Sequence, residues 1–166
     1  MSDCCSKTNG SCSVPEEKGI NAVNCPSCRQ KGKTVDTQTV KALLSISLEA
    51  VEETTTYRFC RTPNCPAVYF NAVGGFFTEA QLREQVYQKH PESEDVLVCY
   101  CYQHTPGSIR AEVAAYGKTD VVARVTAGTK AGTCACDIRN PQGSCCLGNV
   151  GTVVKLIKAD MNAVPA

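Results

Sequence analysis

Thirteen cysteines set the terms on which this 166-residue chain folds, and they come in short groups. In order they read C-C (Cys4, Cys5), a single Cys12, C-x2-C (Cys25, Cys28), C-x4-C (Cys60, Cys65), C-x-C (Cys99, Cys101), C-x-C (Cys134, Cys136) and C-C (Cys145, Cys146). A metal ion needs two or more thiolates from one short stretch of backbone, and a structural disulfide has no such need. Three further features disfavour a disulfide framework. The count is odd, the N-terminal MSDCCSKTNGSCSVPEEKG is polar with no apolar export core, and adjacent thiols such as Cys145 and Cys146 bridge only under strain. The expectation is a reducing cytoplasm and metal-bound thiolates.

Composition narrows the partners. Lys plus Arg number 17 against 16 for Asp plus Glu, and the resulting net charge of +1 argues against a nucleic-acid-binding surface. No apolar run approaches the roughly 20 residues that cross a bilayer, so no membrane insertion is expected. The chain has no Trp and only four Phe, so two small units built from it would have thin cores. Metal binding would then supply folding free energy directly.

The pattern predicts an α+β chain in two units: a small β-rich zinc-binding sub-domain (23–92), then an all-α helical sub-domain (93–160) that binds a 2Fe–2S cluster. Residues 1–22 read as a disordered, cysteine-containing tail. In the first unit, TVKALLSISL (39–48) suits helix or strand. TTTYRF (54–59) and AVYF (67–70) read as strands flanking Cys60 and Cys65 as the arms of a hairpin. Gly74 and Gly75 mark a turn, and TEAQ (78–81) resembles a capping box. The charged KHPESED (89–95) reads as a linker. Beyond it, Thr105 caps a helix with Pro106 at its first position, Ile109, Val113 and Tyr116 form one face, and Gly117 ends it. A second helix is expected from Thr119 to Gly128. A last helix from Leu147 places Val150, Val153, Val154 and Ile157 on one side.

Cys25, Cys28, Cys60 and Cys65 form C-x2-C-x31-C-x4-C, which suits a tetrahedral zinc site. The competing reading of CPSC as a redox pair needs that motif to open a helix within a βαβ unit, and Gly32 and Lys33 intervene before any regular element. Cys99 and Cys101, with a later pair drawn from Cys134, Cys136, Cys145 and Cys146, make a second constellation. A 2Fe–2S centre needs two thiolates on each iron, so six candidates leave two spare. The helix after Cys146 would present its positive end to an anionic cluster, worth about 0.3–1 kcal/mol, and His104 is near enough in sequence to reach a cluster sulfur.

VCYC (98–101), two short helices and CDIRNPQGSCC resemble the 2Fe–2S domain of bacterioferritin-associated ferredoxins. More closely, the chain resembles the N-terminal domain of CopZ-type copper chaperones, over residues 23 to about 157. That group binds a mononuclear zinc through a CPxC segment and an FC-x4-C-x-VYF segment, matched here by CPSC and FCRTPNCPAVYF. Its cluster is held by CYC, by a cysteine four residues before an NP-x-G turn, and by the second cysteine of a CC pair. The resemblance thus implies Cys99, Cys101, Cys136 and Cys146 as cluster ligands, with Cys134 able to replace Cys136. No M-x-C-x-x-C motif is found, so the copper-binding C-terminal domain of that group is expected to be absent.

The resemblance implies a cytoplasmic metallochaperone-like redox protein. It would supply an electron to a soft metal ion such as copper, then hand the ion to a metal transporter or a separate copper-binding protein. The tail cysteines Cys4, Cys5 and Cys12 would be a cargo-capturing arm or a plain solvated leader. A ferredoxin-type carrier without cargo metal is the alternative, and a module merely stapled by metal is a third. No general acid–base pair, nucleophile–His pairing or nucleotide-binding glycine loop is present, so an enzyme is not expected.

Overall fold

Short β-branched and aromatic runs separated by turn residues build the first unit of the computed structural model, which describes residues 23–163. Strands β1 (Lys33–Val35), β2 (Tyr57–Phe59), β3 (Ala67–Asn71) and β4 (Phe76–Thr78) form an antiparallel meander in that order. The cysteine hairpin is present as expected: Phe59 pairs with Tyr69, and Cys60 donates its N–H to the Val68 carbonyl at 2.8 Å. Strand β2 is shorter than TTTYRF suggests. Thr54 gives both its N–H and its hydroxyl proton to the Glu52 carboxylate, which holds it in a turn. The ambiguous TVKALL stretch is helix α1 (Thr37–Leu43), capped by the Asp36 carboxylate, which accepts from the Gln38 N–H at 2.8 Å.

Every residue of β3 is buried, because both faces of the sheet are covered. A register irregularity between Ala67 and Tyr69 splits its neighbours. Tyr69 joins Val35, Val40, Leu43, Leu44, Tyr57 and Phe77 in the main core of the sheet. Ala67 and Phe70 pack instead against Cys25, Cys60 and Cys65.

Helices α2 (Pro106–Tyr116), α3 (Val121–Lys130), α4 (Cys136–Arg139) and α5 (Leu147–Ala163) build the second unit. Thr105 caps α2 by accepting from the Ser108 N–H at 3.0 Å, and Gly117 ends it in a left-handed turn at φ 68°. Ile109 and Val113 of α2 and Val121 and Val125 of α3 bury against Val150, Val153, Val154 and Ile157 of α5. Tyr116, expected on the apolar face of α2, is instead exposed at the helix end. Helix α3 runs two residues beyond the expected stop at Gly128. That glycine serves packing: a side chain there would run into the Tyr102 ring. Helix α4 was not foreseen, since four residues carry no readable periodicity.

The stretch 89–95 is fastened at its start. Lys89 is buried and donates to the Thr62 carbonyl at 2.9 Å, while His90 Nε2 lies 2.7 Å from the Glu79 carboxylate. Tyr100 then donates to the Gln85 carbonyl at 2.7 Å across the junction. The expected tail at 1–22, with Cys4, Cys5 and Cys12, lies outside the described residues. Among the described residues, no helix is long and apolar enough to cross a membrane.

Candidate metal centres

The first centre is assembled by two turns at one edge of the sheet. CPSC forms a knuckle in which Arg29 donates to the Cys25 carbonyl at 2.9 Å and adopts a left-handed φ of 63°. Asn64, at φ 58°, turns the chain between Cys60 and Cys65. The sulfurs of Cys25, Cys28, Cys60 and Cys65 consequently all lie within 4.8 Å of one another. Cys25 and Cys65 are 3.8 Å apart, and Cys28 and Cys60 3.6 Å. Four thiolates at about 2.3 Å from a central zinc form a tetrahedron with edges of about 3.8 Å. Two edges of this centre already have that length, and no sulfur pair in it exceeds 4.8 Å, so the set suits that ion.

Its electrostatics are uneven. Burial pushes the Cys25 thiol up to about 12 and raises Cys60 as well. Burial also opposes ionisation of Cys28, but contacts with the Thr62 hydroxyl and the Gln30 N–H outweigh it and hold that thiol at about 6. The pocket thus accommodates one thiolate on its own, and further ones need a cation. Part of that positive charge is built in: the buried Lys89 ammonium favours ionisation of Cys60. Sequence reasoning missed Lys89, because it sits in a run that reads as a solvated linker; burial of its side chain is set by tertiary packing.

The second centre joins a tight turn to the loop between α3 and α5. The backbones of Cys99 and His104 pair with each other, with Gln103 at φ 54°. That turn aims Cys99 inward and leaves Cys101 half-buried. Cys101 lies 3.7 Å from Cys136, and the Cys146 thiol acts on the ionisation of Cys99. Cys101 and Cys136 are thus in contact, while Cys99 and Cys146 lie buried in one hydrophobic cluster. Backbone amides serve them: Ala135 donates to the Cys101 sulfur at 3.3 Å, the Cys146 amide favours ionisation of Cys136, and those of Cys101 and Tyr102 favour ionisation of Cys99. The neighbouring Cys146 thiol, aided by these amides, holds the Cys99 thiol at about 6, whereas burial raises Cys136 to about 12. Helix α5 begins directly after Cys146, so its positive end faces the sulfurs.

Cys134 sits within 4.8 Å of both Cys101 and Cys136, so proximity alone leaves either cysteine able to serve beside Cys101. Cys145 is exposed. His104 contributes its backbone only. Burial and Arg124 lower the pKa of its ring below the usual histidine value, and the ring makes no hydrogen bond to a sulfur among the described residues.

A zinc-binding module is what the first half defines: residues 22–83 match the family described as the CopZ-type zinc binding domain. The whole fold is similar to a crystal structure, that of the Archaeoglobus fulgidus CopZ N-terminal domain, with a TM-score of 0.65 and 28% sequence identity. The similarity covers 78% of this chain and 96% of that one. No curated protein matches the chain.

Proposed function

We propose that this chain is a cytoplasmic metallochaperone-like redox protein with a structural zinc at Cys25, Cys28, Cys60 and Cys65 and a 2Fe–2S cluster at Cys99, Cys101, Cys136 and Cys146. The observation that carries the reading is the arrangement of the second thiol set. A single ion needs its ligands around one point, as at the first centre. Here Cys101 and Cys136 approach to 3.7 Å while Cys99 and Cys146 lie buried in one core cluster, an arrangement that suits two irons with two thiolates each. When bound, such a cluster supplies one-electron chemistry, the kind that converts Cu(II) to Cu(I).

The protein's own groups do the rest. Amide N–H groups of Cys101, Tyr102, Ala135 and Cys146 stabilise negative charge on sulfur. Val98, Ile109, Val125 and Val150 exclude water from the inner pair, while Cys101 and Cys136 remain closer to solvent and to an incoming partner. A soft metal ion such as copper is the cargo this chemistry suits, and a metal transporter or separate copper-binding protein is its recipient. The similarity to a CopZ domain supports the copper reading. The role is electron transfer and metal handling, not substrate turnover.

Anaerobic purification with metal analysis and EPR tests this. About two irons and one zinc per chain are expected, with a 2Fe–2S signal on reduction. A colourless, redox-silent protein holding zinc alone would reduce the molecule to a metal-stapled module.

A further inference from the structure

If four thiols of the second centre hold iron, two others stand unused beside it. Cys134 and Cys145 approach the same oxygen: the Thr129 hydroxyl lies 3.5 Å from the Cys134 sulfur and 3.8 Å from the Cys145 sulfur. Thr129 is fixed in place, since its hydroxyl donates to the Val125 carbonyl of α3 at 2.9 Å. Cys134 is held from the other side by Tyr102, whose hydroxyl lies 3.8 Å from its sulfur and 2.6 Å from the Thr133 hydroxyl. The absence of a side chain at Gly128 is what admits the Tyr102 ring to that position. Two thiols thus face one pinned hydroxyl, on a wall formed by α3 and Tyr102.

From this we infer a third metal site, in which Cys134 and Cys145 bind a soft monovalent ion, Cu(I). The inference rests on the proposed cluster reading, because it takes the two cysteines that reading leaves over. Thiolates select Cu(I) by softness, and a pair of them suffices where zinc asks for four ligands. Accessibility fits an ion in transit: Cys145 is exposed and Cys134 half-buried, in contrast to the enclosed zinc centre. Position fits as well, for the Cys134 sulfur is within 4.8 Å of Cys101 and Cys136. The cargo ion would sit directly against the redox centre.

The test is an anaerobic Cu(I) titration of the full-length, iron- and zinc-loaded protein against a chromophoric Cu(I) chelator. Cys4, Cys5 and Cys12 are first changed to serine to silence the tail. One Cu(I) is expected to remain bound in that background. Cys145→Ser should weaken it by more than about 100-fold, beyond what loss of a mere outer-shell contact costs. The pair Cys134→Ser and Cys145→Ser should abolish binding, with iron content unchanged. Undiminished Cu(I) binding by the paired variant would overturn the site while leaving the cluster intact. Loss of iron from Cys134→Ser would also overturn it, by making Cys134 a cluster ligand. Protein without iron in every variant would instead sink the cluster reading.

Discussion

Lys89 shows how a single side chain tunes the zinc centre. Its ammonium donates to the Thr62 carbonyl, and the Thr62 hydroxyl lies 3.3 Å from the Cys28 sulfur, so charge and position reach the thiols through one residue. Zinc with four thiolates carries two net negative charges, and the buried ammonium offsets one of them. Replacing Lys89 with Met keeps much of the packing and removes that charge. Zinc affinity should fall by about 10-fold or more, the scale of outer-shell changes at metal sites, as read by competition with a chromophoric zinc chelator. Unchanged affinity would make Lys89 a packing residue only. None of this was legible in KHPESED, because burial of a lysine is decided by what packs over it.

At the scale of elements, local chemistry made some features readable and hid others. The Cys60–Cys65 hairpin, the Thr105–Pro106 start of α2 and the apolar face of α5 each announce themselves within a few residues, and each is present. Zinc spacing was readable for the same reason, since both cysteine pairs sit in short turns. The choice between Cys134 and Cys136 was not, because residues two apart on a loop can both reach Cys101. The loop that carries them is held by a contact invisible in sequence. Gly143 turns it at φ 62°, and a side chain there would press on Val35 at 2.7 Å and on Thr39 at 3.1 Å. Gly143→Ala combines left-handed strain with overpacking, a cost of about 2–4 kcal/mol. The variant should lose iron while keeping zinc, a split that metal analysis reads directly. Equal loss of both metals would show that the damage spreads through the whole fold.

On the scale of the whole molecule, the NPQG segment fastens the loop of the second thiol centre to the sheet. Tyr69 in the middle of β3 donates its hydroxyl proton to the Pro141 carbonyl at 2.7 Å. Gln88 donates to the Gln142 side chain at 2.7 Å, and Lys33 to the Ser144 hydroxyl at 2.6 Å. The Tyr69 bond is the deepest of these, and burial pushes that phenol's ionisation far up, so it remains a donor at every physiological pH. Tyr69→Phe should lower stability by about 1–3 kcal/mol, since it leaves a buried carbonyl without its partner. It should also speed amide exchange in the Asn140–Ser144 segment. Exchange there no faster than in the unaltered protein would mean that the other two contacts suffice. Strands and helices were legible from local patterns, but the contact that joins them was not, because it runs through a proline carbonyl and a tyrosine 72 residues apart in the chain. Tyr69 thus belongs structurally to one unit and serves the other. The boundary visible in the sequence near residue 92 is no line along which the molecule would come apart: heat or denaturant should meet one cooperative unit, and a fragment cut there would bare a phenol that had been shaped to clasp its missing half.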